Sequence, residues 1–177
     1  SASVTGPQER PSSGHLWDLA AVKGLTYRTY GEFAQRVSDG SNITSRAQIP
    51  ALVGHVSEKF IRGFERDTVN VKVFIEEFDR YENDYDSPDP ERRLPNYIVM
   101  SLGENHTRGT TPGQPTPIAS VANNDWALGQ LVDRVTHSRY WPETAIFVIE
   151  DDPQNGADHV DARRTVGLVI SPYTKRK

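Results

Sequence analysis

Acidic and imidazole side chains are concentrated in one segment of the sequence, VIEDDPQNGADHVDARR, at residues 148–164. Asp151 and Asp152 follow an apolar run directly, and a short loop with Pro and Gly then leads to Asp158 and His159. Carboxylate oxygens and imidazole nitrogens together suit Mn, Fe, Zn or Ca ions. The segment therefore indicates a divalent-metal site, and an ordinary solvated turn is the alternative interpretation.

A second polar loop, ENHTRGTTPGQPTP, follows another apolar run and contains Glu104, Asn105 and His106. In open α/β sheets, ligands bind beyond the carboxyl ends of the strands. If the two apolar runs are parallel neighbours, they bring this loop and the segment 148–164 to the same edge of the sheet. A histidine that stands alone in a loop is otherwise a surface residue.

The elements that would position these loops are predicted from hydrophobic periodicity and from capping residues. Val71, Phe74, Ile75 and Phe78 form one apolar helical stripe, and Thr116-Pro117 is a typical helix start. Helices are expected at residues 14–23, around 71–78 and at 117–139. Strands are expected at 25–33, 94–103, 144–150 and 165–171. Residues 38–68 show no clear period and are predicted as a partly helical excursion, and 81–93 as a charged surface loop.

The three later strands are apolar on both faces rather than alternating. This pattern is typical of a mostly parallel sheet that is covered by helices. The predicted fold class is therefore α/β, with one mostly parallel sheet flanked by helices.

Composition limits the classes of protein that the chain can represent. Its 177 residues suffice for one ordinary domain, and its net charge of −4 argues against binding to a nucleic-acid backbone. No apolar run approaches the roughly 20 residues that cross a bilayer, and no signal peptide is visible. The absence of cysteine excludes disulfides, thiolate zinc sites and cysteine nucleophiles.

Three stretches carry a resemblance to a known family: LWDLAAVKGLTYRTYGEF, LPNYIVMSLGENHTRGTTPGQPTP and NDWALGQLVDRVTHSRYWPETAIFVIEDDPQNGADHVDARRTVGLVISPYTKR. They resemble the C-terminal half of the phosphoesterase family, the branch of the alkaline phosphatase superfamily that includes bacterial phospholipases C and an acid phosphatase. The likeness extends to bacterial proteins that join a YncE-like β-propeller to this domain. The polar start of the chain predicts a flexible tail at residues 1–11. The resemblance implies, at 12–177, a partial domain of alkaline-phosphatase-like fold.

The resemblance implies a metal-dependent hydrolase of phosphate mono- or diesters. It implies a metal-binding pair, Asp151 and Asp152, and two catalytic histidines, His106 and His159, with His106 near the phosphate. From their positions, Glu150 is expected to support the metal ligands and Asp158 to orient His159. The metal would be Zn, Mn, Fe or Ca.

Two features of the family pattern have no counterpart in this sequence: an early Glu-Asn-Arg element and a Ser or Thr nucleophile. The chain is therefore expected to be a fragment of a longer periplasmic or secreted enzyme, with the nucleophile outside it. The remaining N-terminal part of that protein, with a β-propeller, would be its partner. A non-catalytic binding or assembly module with the same fold is the alternative, and a mutase-like or sulfatase-like reaction is a third possibility.

Overall fold

The computed structural model describes residues 11–150 and 165–175 of the chain. These ranges contain three α-helices and six β-strands. In chain order they are α1 (Leu16–Val22), β1 (Tyr27–Tyr30), β2 (Ala34–Asp39), β3 (Asn42–Ala47), α2 (Asp67–Asn83), β4 (Tyr97–Met100), α3 (Pro117–Thr136), β5 (Ile146–Ile149) and β6 (Gly167–Ile170). The contacts divide the chain into two compact units, Ser1–Arg134 and Val135–Lys177.

The centre of the first unit is a parallel pair of strands, β1 and β4, whose register ends with Tyr30 opposite Met100. Thr29 of β1 also forms a parallel bridge with Val56, on the side of β1 away from β4. Strand β1 thus lies between two parallel neighbours. Its predicted position within residues 25–33, and that of β4 within 94–103, are confirmed.

The hydrophobic core beside β1 is largely aromatic. Tyr30, Phe60 and Phe78 are fully buried, and Phe74 of α2 is 3% exposed. The rings of Tyr30 and Phe74 meet edge to face with their centroids 5.2 Å apart, a geometry that adds to the free energy gained by burial. The apolar stripe predicted for α2 is therefore confirmed as the face that packs on the core. The helix extends beyond the stripe. It ends at Asn83, inside the region 81–93 that was predicted as a surface loop.

A second buried cluster involves Trp17 of α1, with Ile49, Leu52 and Val56 from the chain that follows β3. The Trp17 ring also stacks on the imidazole of His15, with the ring centroids 4.4 Å apart. These contacts anchor α1 near the start of β1.

Residues 34–47 form an antiparallel hairpin, β2–β3, where the sequence was expected to make a partly helical excursion. That expectation, made for residues 38–68, is wrong for 38–47, whereas Pro50–Leu52 do form a short 3-10 helix. The loop between the strands is Gly40-Ser41, and Gly40 has φ +64°, the left-handed conformation that tight hairpin turns require. Most residues of β2 are exposed, so the hairpin lacks the alternating apolar pattern by which strands are recognised.

Strands β5 and β6 form an antiparallel pair in the second unit. Both were expected, but as members of one mostly parallel sheet, and that arrangement is wrong for the described residues. Phe147 is 68% exposed and Ile149 is 72% exposed. The apolar composition of β5 therefore does not reflect burial by helices on both faces within this structure.

The fold class is mixed α/β, as predicted, but the described residues form three two-stranded sheets rather than one sheet. Among the strands that the structure describes, only β1 and β4 pair in parallel over their full length. Among the described residues, no helix has the length and apolar character needed to cross a membrane.

Candidate functional site

The carboxyl ends of β1 and β4 lie side by side because the strands are parallel and in register. Gly31 follows β1, and residues 101–107 follow β4. We call these two segments the carboxyl edge. It is the place where open α/β sheets bind ligands, and it carries His106, one of the predicted site residues.

Asp67, the first residue of α2, holds the loop of the carboxyl edge in place. Its side chain is 1% exposed. One carboxylate oxygen accepts a hydrogen bond from the N–H of Gly103 at 3.1 Å, and the other accepts from the N–H of Glu104 at 2.9 Å. The amide of Asn124, on α3, donates to the second oxygen at 2.9 Å. A buried carboxylate thus fixes the backbone of the loop to two helices.

The side chain of Glu104 in turn bonds to the start of α2. Its carboxylate accepts a hydrogen bond from the N–H of Asp67 at 2.7 Å and forms an ion pair with Arg66, with 2.5 Å between Oε1 and Nε. A negative charge at the first turn of α2 also interacts favourably with the helix dipole. Glu104 therefore positions the loop. The sequence alone did not indicate this role, because the partners of Glu104 lie 37 and 38 residues away.

The two residues after Glu104 face outward. Asn105 and His106 are exposed, and the N–H of His106 closes a short 3-10 turn by donating to the carbonyl of Gly103. Thr107 ends this turn with φ +48°. A β-branched residue in this conformation is strained by about 1–3 kcal/mol, and such strain concentrates at functional loops. The loop therefore presents an imidazole to solvent from a backbone that is fixed at Gly103 and Glu104.

Arg62 lies against both segments of the carboxyl edge. A Cβ atom placed on Gly31 would lie 2.9 Å from the Cβ of Arg62, and one placed on Gly103 would lie 3.6 Å from its Nε. The Arg62 side chain thus packs beside two residues that lack side chains. No pattern in the sequence pointed to this residue.

A buried ionic cluster that the sequence analysis missed surrounds Glu77 of α2. Its carboxylate accepts hydrogen bonds from Arg28 at 2.6 Å, Ser57 at 2.6 Å and Tyr30 at 3.0 Å. Burial favours a raised pKa for Glu77, but the hydrogen bonds from Arg28 and Ser57 outweigh it and hold the pKa below its ordinary value. Burial also raises the pKa of the Tyr30 hydroxyl. Each carboxylate oxygen of Glu77 has a hydrogen-bond partner. The cluster therefore joins β1, α2 and the segment around Val56 and Ser57, and it offers no free reactive group.

Of the five other predicted site residues, the structure describes Glu150 alone. Glu150 follows β5, and its N–H donates to the carbonyl of Val166 at 3.1 Å, so its backbone extends the hairpin of the second unit. The remaining four lie outside the described residues: Asp151, Asp152, Asp158 and His159. Within 11–150 and 165–175, no group of three or more His, Cys, Asp or Glu side chains is placed to hold a metal ion.

Comparison with known proteins gives no match to any family model, curated protein or solved structure. The phosphoesterase assignment therefore remains a prediction from the resemblance of the sequence segments. The described geometry supplies one fixed loop with an exposed histidine, and the buried acids beside it already have partners.

Proposed function

We propose that the chain is part of a metal-dependent phosphoesterase that hydrolyses phosphate mono- or diesters. The observation that carries this proposal is the loop of the carboxyl edge, which Asp67 and Glu104 fix while His106 remains exposed. The resemblance of the sequence places a phosphate-contacting histidine at this position. An alkaline-phosphatase-like fold with a larger parallel sheet belongs to the same proposal, as does a periplasmic or secreted location.

His106 has the chemistry that phosphoryl transfer needs from a protein side chain. A protonated imidazole donates a hydrogen bond to a phosphoryl oxygen, and it can pass a proton to the leaving group. Catalysis of phosphoryl transfer depends mainly on positioning and on charge neutralisation. A histidine on a backbone that is held by a buried carboxylate meets the first of these requirements. His159 has the corresponding role in the second polar segment, with Asp158 orienting it.

Asp151 and Asp152 are the residues proposed to hold the metal ion, with Glu150 supporting them. Two carboxylates with a nearby histidine form a donor set that fits Zn, Mn, Fe or Ca. When bound, the ion supplies Lewis acidity and lowers the pKa of the attacking hydroxyl. The nucleophile in this proposal is a Ser or Thr supplied from outside residues 1–177.

Metal binding tests the proposal directly. The purified chain is titrated with Zn²⁺ and with Mn²⁺ by calorimetry, alongside the double variant Asp151→Asn/Asp152→Asn. We expect saturable binding by the wild type and at least roughly tenfold weaker binding by the variant, because it loses both carboxylate charges. The control Asp39→Asn/Asp125→Asn removes two exposed carboxylates and should bind as the wild type does.

Equal affinity in the two variants would contradict the assignment of Asp151 and Asp152. A wild-type chain that binds neither Zn²⁺ nor Mn²⁺, nor Fe²⁺ or Ca²⁺ in the same titration, would overturn the metal-dependent proposal. It would favour the alternative, a non-catalytic binding or assembly module.

A further inference from the structure

Arg62 reaches the carboxyl edge with its stem held between two glycines. At Gly31, an added Cβ would meet the Cβ of Arg62 at 2.9 Å, closer than real Cβ contacts allow. At Gly103, an added Cβ would lie 3.5 Å from Cγ and 3.6 Å from Nε. The close approach to Gly31 requires glycine, which has no side chain and also adopts φ +79° there. The chain thus makes room for an arginine where the loops after β1 and β4 meet.

The guanidinium of Arg62 is incompletely satisfied. Its Nε is buried and has no hydrogen-bond partner in the described part of the chain, whereas the side chain as a whole is half-buried. A buried cationic donor without an acceptor is costly, so such a group is rare unless a ligand or an ion completes it.

The two acids that hold the loop of the carboxyl edge do not supply the missing acceptor. Asp67 accepts hydrogen bonds from the backbone of Gly103 and of Glu104. Glu104 is paired with Arg66 and with the first N–H of α2. Their charges and lone pairs are directed to the loop and to the helix. The positive charge of Arg62 is therefore available to an anion from outside the chain.

We infer that Arg62 binds the phosphoryl group of the substrate at the carboxyl edge, which also carries His106. The inference rests on the proposed function, and it adds a residue that the sequence resemblance did not indicate. A guanidinium has several N–H donors in a planar fork, which matches two oxygens of a phosphoryl group. The glycines fix the stem, so little conformational freedom remains to be lost when the anion binds. Arg62 supplies charge and orientation, and it takes no part in proton transfer because it stays protonated.

The first test uses the wild-type chain and inorganic phosphate. In ¹⁵N-labelled protein, the Nε–H resonance of Arg62 and the amide resonances of Gly31 and residues 101–107 are followed by NMR during the titration. We expect saturable shifts of all these resonances with one common dissociation constant. Acetate is the control for carboxylates and should shift them far less. Equal responses to acetate and phosphate would overturn the assignment to a phosphoryl group.

The second test compares Arg62→Lys with Arg46→Lys, both of which keep the charge. Lys cannot offer a fork, so we expect Arg62→Lys to weaken phosphate binding by roughly tenfold or more. Arg46 lines a separate cleft of about 830 Å³ that also contains Lys59, and Arg46→Lys should leave the affinity unchanged. The reverse result, or phosphate shifts confined to that cleft, would overturn the inference.

The two proposals fail in different ways. If phosphate does not shift the Arg62 resonance while Asp151 and Asp152 still bind metal, the role of Arg62 is wrong and the proposed function stands. If metal binding fails while phosphate still binds at Arg62, the carboxyl edge is an anion site and the phosphoesterase proposal is wrong.

Discussion

Asp67→Asn is the substitution that most specifically releases the loop of the carboxyl edge. The change keeps the size of the side chain and removes its charge. Asp67 is 1% exposed, and its two oxygens accept hydrogen bonds from Gly103, Glu104 and Asn124 at 2.9–3.1 Å. Water therefore cannot replace a lost acceptor without opening the structure.

The cost follows from the distribution of these bonds. In the variant, the amide oxygen can occupy the position that accepts from Glu104 and Asn124, but the NH₂ group then faces the N–H of Gly103, donor against donor. One bond to a charged acceptor, worth about 1.5–3 kcal/mol, is lost, and two others become bonds to a neutral acceptor. We expect the free energy of unfolding to fall by about 3 kcal/mol. The matched control, Asp39→Asn on the exposed end of β2, should change it by less than about 0.5 kcal/mol.

Two measurements check this expectation. Urea unfolding gives the free energy for wild type and both variants, and amide hydrogen exchange follows the N–H groups of Gly103 and Glu104 individually. These two amides should exchange much faster in Asp67→Asn at a urea concentration where all three proteins remain folded. If Asp67→Asn is as stable as Asp39→Asn and the two amides keep their protection, the loop is not held by Asp67 and the reasoning is refuted.

Two further substitutions test other parts of the structure. Glu77→Gln should lower the free energy of unfolding at pH 7 by about 3 kcal/mol, because it leaves the partly buried Arg28 without its anion, whereas the exposed neighbour substitution Glu76→Gln should have little effect. Because the folded-state pKa of Glu77 lies below its ordinary value of 4.5, its stabilisation is present above that pH and is lost as the pH falls through the folded pKa. The deficit of Glu77→Gln should therefore shrink on acidification, and a deficit independent of pH would contradict the ion pair. Gly31→Ala should destabilise by about 2–3 kcal/mol through strained backbone and close contacts with Arg62 and the ring of Phe60. Gly24 has a similar positive φ but open space around it, so Gly24→Ala should cost about 1 kcal/mol. Equal losses of stability in the two variants would show that the contacts at Gly31 are not tight.

Much of the first unit could be predicted from local sequence signals. The apolar stripe of α2 identified Phe74 and Phe78 as core residues, and the Thr116-Pro117 pair marked the start of α3. There the Thr116 hydroxyl accepts from the N–H of Ala119 at 3.3 Å. Periodicity and caps operate over a few residues, so a sequence displays them directly.

Strand pairing was harder to predict because it is not a local property. An apolar run such as β5 indicates a strand, yet it does not specify whether its partner runs parallel or antiparallel. The parallel-sheet interpretation depended on burial on both faces, and the exposure of Phe147 and Ile149 shows that this condition fails in the described structure. The hairpin β2–β3 was missed for the opposite reason, since its strands are too polar to show an alternating pattern.

The candidate site shows the same limit. The loop with His106 stood out because polar residues follow an apolar strand. The groups that fix it did not, because Asp67 and Arg62 are brought to the loop by tertiary contacts across about 40 residues of chain. Glu77 offered a signal that could have been used. It lies beside Phe78 and three residues after Phe74 on a buried helical face, where a carboxylate needs a partner.

We expect the carboxyl edge of β1 and β4 to bind the phosphate ester. The most direct measurement is an amide chemical-shift map of the wild-type chain titrated with glycerol phosphate in the presence of Zn²⁺. The largest shifts should fall on Gly31 and residues 101–107, including His106. Largest shifts in the cleft lined by Arg46 and Lys59, or no saturable shifts at the carboxyl edge, would contradict it.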